Sequence, residues 1–273
     1  PLGALSFNFN TVTVYVTPGG KPGDRPVVVV DPDIEFIRVD NRARTVSTSK
    51  RSRLIVNRVD RGSYNEITVS GVISVDHLRE TYHLNITQPA YYAAMVFKEY
   101  LRQAGIEVTG KVRVGSVPEG AYELSSHTSM PLSLILRGLN KFSNNFVAEQ
   151  ILKTIGAEIH GPPGTTLNGL RAMDEYMQSL KYKPEEFSIL DGSGLSRQSR
   201  LSPGQIVSVL QDMYEDLGVY PEFISALGVM GRDGNVLKRM NGHNSAERAR
   251  VKTGTLNSVS ALSGYFQSAD GEQ

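Results

Sequence analysis

The sequence of 273 residues contains no cysteine, which excludes disulfide bonds and thiolate metal sites. Its 29 basic and 28 acidic side chains give a net charge of +1, so charge provides no bias toward nucleic acid or acidic membranes. No apolar run approaches the roughly 18 residues that span a bilayer. The first residues lack a basic region followed by an apolar stretch, so no signal peptide is visible.

Metal-binding patterns are also missing from the sequence. The histidines form no H-E-x-x-H or similar spacing, so we expect neither a metal nor another cofactor. The N-G-H-N run at 241–244 favours a loop role for His243 over the role of a catalytic base. The histidines are His77, His83, His127, His160 and His243.

Residues 1 to about 86 have the pattern of a small all-β unit. Leu5, Phe7 and Phe9 alternate with other residue types, and this alternation predicts a strand. Clusters of proline, glycine and aspartate separate the following segments as turns. Further strands are predicted for the β-branched runs 12–16, 27–30, 54–56 and 67–69.

From Pro89 onward the apolar period becomes helical. The pattern predicts five helices, followed by a strand-like segment at 250–267 and a hairpin turn at 270–273. This order predicts an α/β or α+β fold. The five helices are predicted from Pro89 to Gly105, from Pro131, from Phe146 to Gly156, over 167–180, and from Pro203 with Ser202 as N-cap.

Residues 252–255 read K-T-G-T at the start of the strand-like segment. A cation, a hydroxyl and a glycine in one strand can bind a carboxylate and let a substrate backbone approach. Because side chains alternate between faces, Thr253 and Thr255 share a face and Lys252 lies on the other. Taken alone, this short motif favours an ordinary strand.

Residues 143–145 read S-N-N at a break between two predicted helices. A serine there can pass a proton, and a carboxamide can hold a substrate carbonyl or a catalytic lysine. The alternative is that a Ser or Asn before Phe146 caps the next helix, and the two roles are compatible. K-T-G and S-x-N are two of three parts of a serine acyl-transfer site for peptides and β-lactams, and the third is S-x-x-K.

The third part has one literal match, Ser47-Thr48-Ser49-Lys50. No helical apolar face follows it, and the segment is typical of a loop entering a strand, so we reject Ser47 as the nucleophile. The glycine-rich run 191–197, D-G-S-G-L-S-R, favours a structural loop. Its small residues beside Arg197 would suit the wall of a cleft.

Five stretches, in order, resemble the D-alanyl-D-alanine carboxypeptidase family of class C low-molecular-mass penicillin-binding proteins, the S13 peptidases. The resemblance covers nearly the whole chain and implies a serine penicillin-recognising (β-lactamase/transpeptidase-like) catalytic domain with an inserted all-β domain. It implies an outer β insert at 1–86, a return through a second insert at 87–128, and the central and C-terminal catalytic domain at 129–273. The stretches are N-F-N at 8–10, A-G-I at 104–106, K-F-S-N-N at 141–145, the loop at 191–197 and R-V-K-T-G-T-L at 250–256.

The resemblance implies three catalytic residues in this sequence. Ser143 would shuttle a proton toward the leaving D-alanine, and Asn145 would bind a substrate amide and the lysine of S-x-x-K. Lys252 would provide the positive field.

The resemblance also implies a set of substrate-binding residues. Thr253 and Thr255 would bind the terminal carboxylate, and Gly254 would leave the backbone open to the substrate. The N–H of Thr255 would supply half of an oxyanion hole. Leu256 and Arg197 would belong to the pocket that reads the stem-peptide side chain.

By this resemblance, we expect a serine-type carboxypeptidase or endopeptidase for peptidoglycan stem peptides, inhibited by β-lactams and active outside the cytoplasm, as in a periplasm. We expect S-x-x-K to precede residue 1 or to lie on a second chain, and the last strands and helix to follow residue 273. Residues 1–273 alone would then be incomplete as an enzyme. The alternatives are a serine β-lactamase or esterase, and a non-catalytic cell-wall binding or scaffold protein. Homo-oligomerisation stays open, and no nucleic-acid partner is expected.

Overall fold

Seven strands and one long helix occupy the first of two compact units in the computed structural model, residues 1–122. The structure describes residues 2–48, 51–240, 242–243 and 246–268, and these elements are counted within that part of the chain. They are β1 (Thr11–Thr17), β2 (Val27–Asp31), β3 (Ile37–Asn41), β4 (Arg44–Val46), β5 (Arg53–Asp60), β6 (Asn65–Ser74), β7 (Glu80–Asn85) and α1 (Pro89–Gln103).

The strands of this unit form two sheets around a shared apolar core. One sheet is antiparallel, in the order β2-β1-β7. In the other, β6 pairs parallel with β3 and β4 and antiparallel with β5. The valines at 12, 14 and 16 are fully buried because alternate residues of β1 point to the same face.

Helix α1 packs into this same core. Tyr92 is fully buried, and its hydroxyl donates to the carbonyl of Thr11 at 2.9 Å. Val96, one helical turn later, belongs to the same cluster as Val12 and Ile67. The division of the sequence at residue 86 stays a prediction, and α1 shares its buried side chains with the strands that precede it.

The strand predicted from Leu5, Phe7 and Phe9 is wrong. Asn8–Asn10 is a 3-10 turn, and its residues have φ of 47°, 55° and 55°. These angles lie in the left-handed region, which asparagine tolerates better than most residues and which cannot continue a strand. Strand β1 therefore begins only at Thr11, whose hydroxyl donates to the carbonyl of Asn8 at 2.7 Å.

The second unit, residues 123–273, combines helices with a small antiparallel sheet in the order β10-β9-β8. No described helix in either unit is both long and apolar enough to cross a membrane. The elements of the second unit are α2 (Leu132–Phe142), α3 (Asn145–His160), α4 (Thr166–Ser179), α5 (Pro203–Glu215), α6 (Tyr220–Ala226), β8 (Gly228–Val229), β9 (Ala249–Leu256) and β10 (Val259–Phe266).

All five predicted helices are present, but the predicted end of the third is wrong. Helix α3 continues past Gly156 to His160. A Cβ at Gly156 would lie 2.5 Å from the backbone nitrogen of Gly169 on α4, so this glycine permits a close helix crossing. The start of α5 is confirmed: Ser202 and Gln205 form a capping box, with proline next to the cap.

The strand-like segment predicted at 250–267 is a hairpin of two strands. Strands β9 and β10 pair antiparallel from Val259↔Leu256 to Phe266↔Ala249. The turn between them places Ser258 at φ 66°. The hairpin turn predicted at 270–273 lies outside the described residues.

Candidate active site

The second unit brings the K-T-G strand to the S-x-N turn. Lys252 Nζ on β9 donates to Ser143 Oγ at 2.5 Å and to its neighbour's carbonyl, Thr253 O, at 2.6 Å. Ser143 ends α2 in the left-handed region, at φ 52° and ψ 53°. Two residues separated by 109 positions thus come into direct hydrogen-bonding contact.

The cap of α3 is Asn144. Its side-chain oxygen accepts from the backbone N–H of Val147 at 3.1 Å. Of the capping candidates before Phe146, Ser143 therefore does not have that role. Because Asn144 performs the capping, the hydroxyl of Ser143 faces Lys252 instead.

A cavity of about 590 Å³ lies at this contact. The predicted residues that line it are Ser143, Asn145, Lys252, Thr253, Gly254, Thr255 and Leu256. Arg197 is not among the lining residues, and its Nη2 donates to the carbonyl of Asn257 at 2.9 Å. The structure therefore places Arg197 at the β9–β10 turn.

The loop at 191–197 supplies another wall of the cavity, through Ser193, Gly194 and Leu195. Glu149, on α3 one turn after Asn145, accepts from the backbone N–H groups of Gly192 at 3.1 Å and Ser193 at 2.9 Å. A carboxylate on a helix therefore anchors the loop beside the S-x-N turn.

Within this loop Asp191 forms a second anchor. Its carboxylate accepts from Gly194 N at 2.8 Å and from Ser196 N at 2.6 Å. The density of small residues indicated a cleft wall from the sequence, but nothing there indicated the contribution of Glu149.

Four lining residues did not follow from the sequence. Asn235 and Arg239 follow β8 in a segment without a recognisable motif, and Val259 and Ala261 lie on β10. Arg239 is exposed, and the part of the chain that the structure describes offers its guanidinium no hydrogen bond or ion pair. The cavity thus has a second cation beside Lys252.

Burial lowers the pKa of Lys252 below the usual value for lysine, because desolvation disfavours the ammonium form. The salt bridges between described residues do not include this lysine. Its charge is therefore directed at Ser143 and the cavity without a carboxylate to neutralise it.

One edge of β9 is open at the cavity. Strand β8 pairs only with Val251 and Arg250, whereas β10 pairs along the whole of β9. From residue 252 to residue 256, no described strand covers the edge opposite β10. Such an edge can accept an extended substrate by backbone hydrogen bonds.

The literal S-x-x-K match ends in Ser49 and Lys50, which lie outside the described residues. The rejection of Ser47 as a nucleophile therefore stays a prediction. Among the described residues, no group of three or more histidine, aspartate or glutamate side chains is arranged to hold a metal ion.

Comparison with known proteins matches residues 1–273 to a family model described as the D-Ala-D-Ala carboxypeptidase 3 (S13) family. A D-alanyl-D-alanine carboxypeptidase of Actinomadura sp. (strain R39) is 33% identical over 279 residues, covering 97% of this chain and 50% of that protein. A penicillin-sensitive carboxypeptidase A of Dictyostelium discoideum is 26% identical over 267 residues, covering 96% of this chain and 51% of that protein. The chain thus spans about half the length of these curated relatives.

A solved structure shares the fold. Penicillin binding protein 4 of Haemophilus influenzae superposes with a TM-score of 0.81 at 23% sequence identity, covering 98% of this chain and 59% of that one. The chain therefore has the mixed α/β fold of a penicillin-binding protein.

Proposed function

The chain belongs to the D-Ala-D-Ala carboxypeptidase 3 (S13) family, and we propose that the whole protein is a serine-type D-Ala-D-Ala carboxypeptidase or endopeptidase of peptidoglycan. The observation that carries the proposal is the 2.5 Å contact between Lys252 Nζ and Ser143 Oγ beside an open strand edge. A cation, a hydroxyl and free backbone groups meet there, and these groups can bind the carboxylate end of a peptide and move a proton during its cleavage.

Acyl transfer would proceed in two steps. The serine of an S-x-x-K segment attacks the carbonyl of the penultimate D-alanine, and the C–N bond to the last D-alanine breaks. The proton from that serine reaches the leaving amine through the hydroxyl of Ser143, which both donates and accepts. Water then hydrolyses the ester and regenerates the serine.

Substrate binding would use β9. The open edge of β9 takes the peptide as an added strand, and Gly254 adds no side chain to obstruct it. Thr253, Thr255 and the charge of Lys252 bind the terminal carboxylate, and the N–H of Thr255 donates to the oxyanion. Asn145 holds a substrate amide.

A β-lactam would acylate the same serine, and the slow hydrolysis of that ester would inhibit the enzyme. Peptidoglycan peptides as substrates place the whole protein outside the cytoplasm. We retain the division into a β insert at 1–86, a second-insert segment at 87–128 and the catalytic domain at 129–273 as part of this proposal. Leu256 and Arg197, the latter at the β9–β10 turn, remain proposed for side-chain recognition.

The test uses the full-length protein with three substrates: a peptide ending in D-Ala-D-Ala, a cross-linked muropeptide and a cephalosporin. We expect D-alanine release or cross-link cleavage, which a stoichiometric amount of penicillin abolishes. Rapid, repeated cephalosporin hydrolysis would indicate the β-lactamase alternative. Muropeptide binding without cleavage of any substrate would indicate a scaffold.

A further inference from the structure

A partly buried ion pair joins the end of α2 to the segment after β8. Lys141 is only 8% exposed, and its Nζ donates to Asp233 Oδ2. The other oxygen, Asp233 Oδ1, accepts from Val229 N at 2.8 Å. Burial opposes ionisation of this carboxyl group, but the hydrogen bonds from Lys141 and Val229 hold the pKa of Asp233 below its usual value. The carboxyl group of Asp233 is therefore ionised at neutral pH.

The same two segments also touch through their backbones. Gly234, next to the aspartate, has φ +57°, and a Cβ there would lie 2.5 Å from the carbonyl oxygen of Lys141. The segment after β8 is thus held against the end of α2 by an ion pair and by direct backbone contact. The catalytic turn follows at once, because Ser143 is two residues beyond Lys141.

Strand β8, which precedes Asp233, connects this contact to Lys252 on β9. Val229 on β8 pairs with Arg250 on β9, two residues before that lysine. The contacts therefore run from Ser143 through Lys141, Asp233 and β8 to β9. The hydrogen bond from Lys252 to Ser143 completes the ring.

We propose that Lys141 and Asp233 are positioning residues that hold Ser143 within hydrogen-bonding reach of Lys252. This role rests on the proposed acyl transfer, in which Ser143 moves the proton. A displacement of about 1 Å at such a contact can cost roughly 10²-fold in rate. The pair touches no reacting atom, so it acts through the turn and the strand that it connects.

The competing interpretation is that the pair only stabilises the fold. Removing one charge cannot separate the two interpretations. Asp233→Asn leaves Lys141 buried without its partner, and Lys141→Met leaves the carboxylate of Asp233, 34% exposed, without its ion pair. Removing both charges with similar volume is often neutral for stability. The double variant Lys141→Met/Asp233→Asn can therefore retain the fold while it loses the ion pair that holds the two segments together.

We would measure the melting temperature and the penicillin acylation rate constant of full-length wild-type protein, the two single variants and the double variant. Both singles should melt at lower temperature and acylate more slowly. The double variant should regain the wild-type melting temperature and still acylate roughly 10²-fold more slowly. Recovery of both properties by the double variant would overturn the positioning role.

The matched control breaks the nearby exposed pair of Arg232 and Glu247, whose side chains are 68% and 60% exposed. Glu247→Gln should change neither the melting temperature nor the acylation rate constant.

With a D-Ala-D-Ala peptide, the double variant should have a lower kcat and an unchanged KM, because Thr253 and Lys252 still bind the carboxylate. A rise in KM as large as the fall in kcat, or an unchanged kcat, would contradict the proposal.

An inactive wild type would refute the proposed function and not this inference. A crystal structure of the double variant then decides the matter. We expect the distance from Lys252 Nζ to Ser143 Oγ to exceed hydrogen-bonding reach. An unchanged distance would overturn the positioning role whatever the activity.

Discussion

The two units of the chain differ in how completely they bury their side chains. Among the described residues, the largest fully buried side chains all precede residue 97, and most are valine and isoleucine. One buried side chain near the cleft is the charged Lys141, and the apolar cluster of the second unit is smaller than that of the first. The members of the second unit's cluster are Met230, Val236, Ala246, Ala249 and Val251. The first unit therefore has the more completely enclosed apolar core, whereas polar contacts between distant segments join the walls of the cleft.

A large effect is expected from removing the positive charge of the cleft. Lys252→Ala in the full-length protein should lower the rate constant of penicillin acylation by about 10²–10³-fold, the usual cost of one group that stabilises transition-state charge. The melting temperature should not fall, because a desolvated ammonium without a carboxylate partner adds little stability.

Lys238 is exposed and does not line the cavity, so Lys238→Ala is the matched control. It should acylate like wild type. If both lysine variants acylate equally fast, Lys252 has no special role.

In the first unit, a core substitution should lower stability and leave the acylation rate unchanged. Ile67 is fully buried on β6, and Ile67→Ala should lower the free energy of unfolding by about 2–5 kcal/mol. Urea unfolding measures this loss. The acylation rate of the folded protein should stay normal, since Ile67 does not line the cavity.

Ile55, on the neighbouring strand β5, is 49% exposed. Ile55→Ala should change stability by no more than about 0.5 kcal/mol. A loss as large as that of Ile67→Ala would contradict the contrast between packed and exposed positions in this unit.

A smaller effect is expected at the cap of α3. Asn144→Ala should cost about 0.5–2 kcal/mol, because the N–H of Val147 loses its acceptor. Asn144→Asp keeps an acceptor and should retain most of the stability. Chemical denaturation of the three proteins measures both values, and an alanine variant as stable as wild type would exclude the capping role.

The smallest effect is a dependence on pH. Because burial lowers the pKa of Lys252 in the folded state, the unfolded chain binds more protons between that pKa and about 10.4, the usual value for lysine. The free energy of unfolding should therefore gain a contribution that rises with pH through this window. Lys252→Met should remove the contribution and Lys238→Met should not. Identical pH profiles for these two variants would contradict it.

The sequence predicted those parts of the molecule that have a local signal. Alternating valines indicated β1, and the capping pattern at Ser202 indicated the start of α5. The K-T-G and S-x-N motifs indicated residues that line one cavity, because each motif is a short run with its own chemistry.

What the sequence did not predict lacks a local signal. The left-handed turn at Asn8–Asn10 resembles an alternating strand in its residue types, and only its backbone angles distinguish it. The pairing of Lys141 with Asp233 joins positions 92 residues apart and follows no motif. Asn235 and Arg239, which line the cavity, belong to the same segment after β8.

The central claim is that the hydroxyl of Ser143, held by Lys252, moves the proton in acyl transfer. The most direct test is the penicillin acylation rate constant of Ser143→Gly in the full-length protein, measured with its melting temperature. Glycine suits the φ of 52°, so the melting temperature should not fall. We predict that acylation slows by about 10²–10⁴-fold, the usual contribution of a positioned acid–base group. A wild-type rate in this variant would contradict the account.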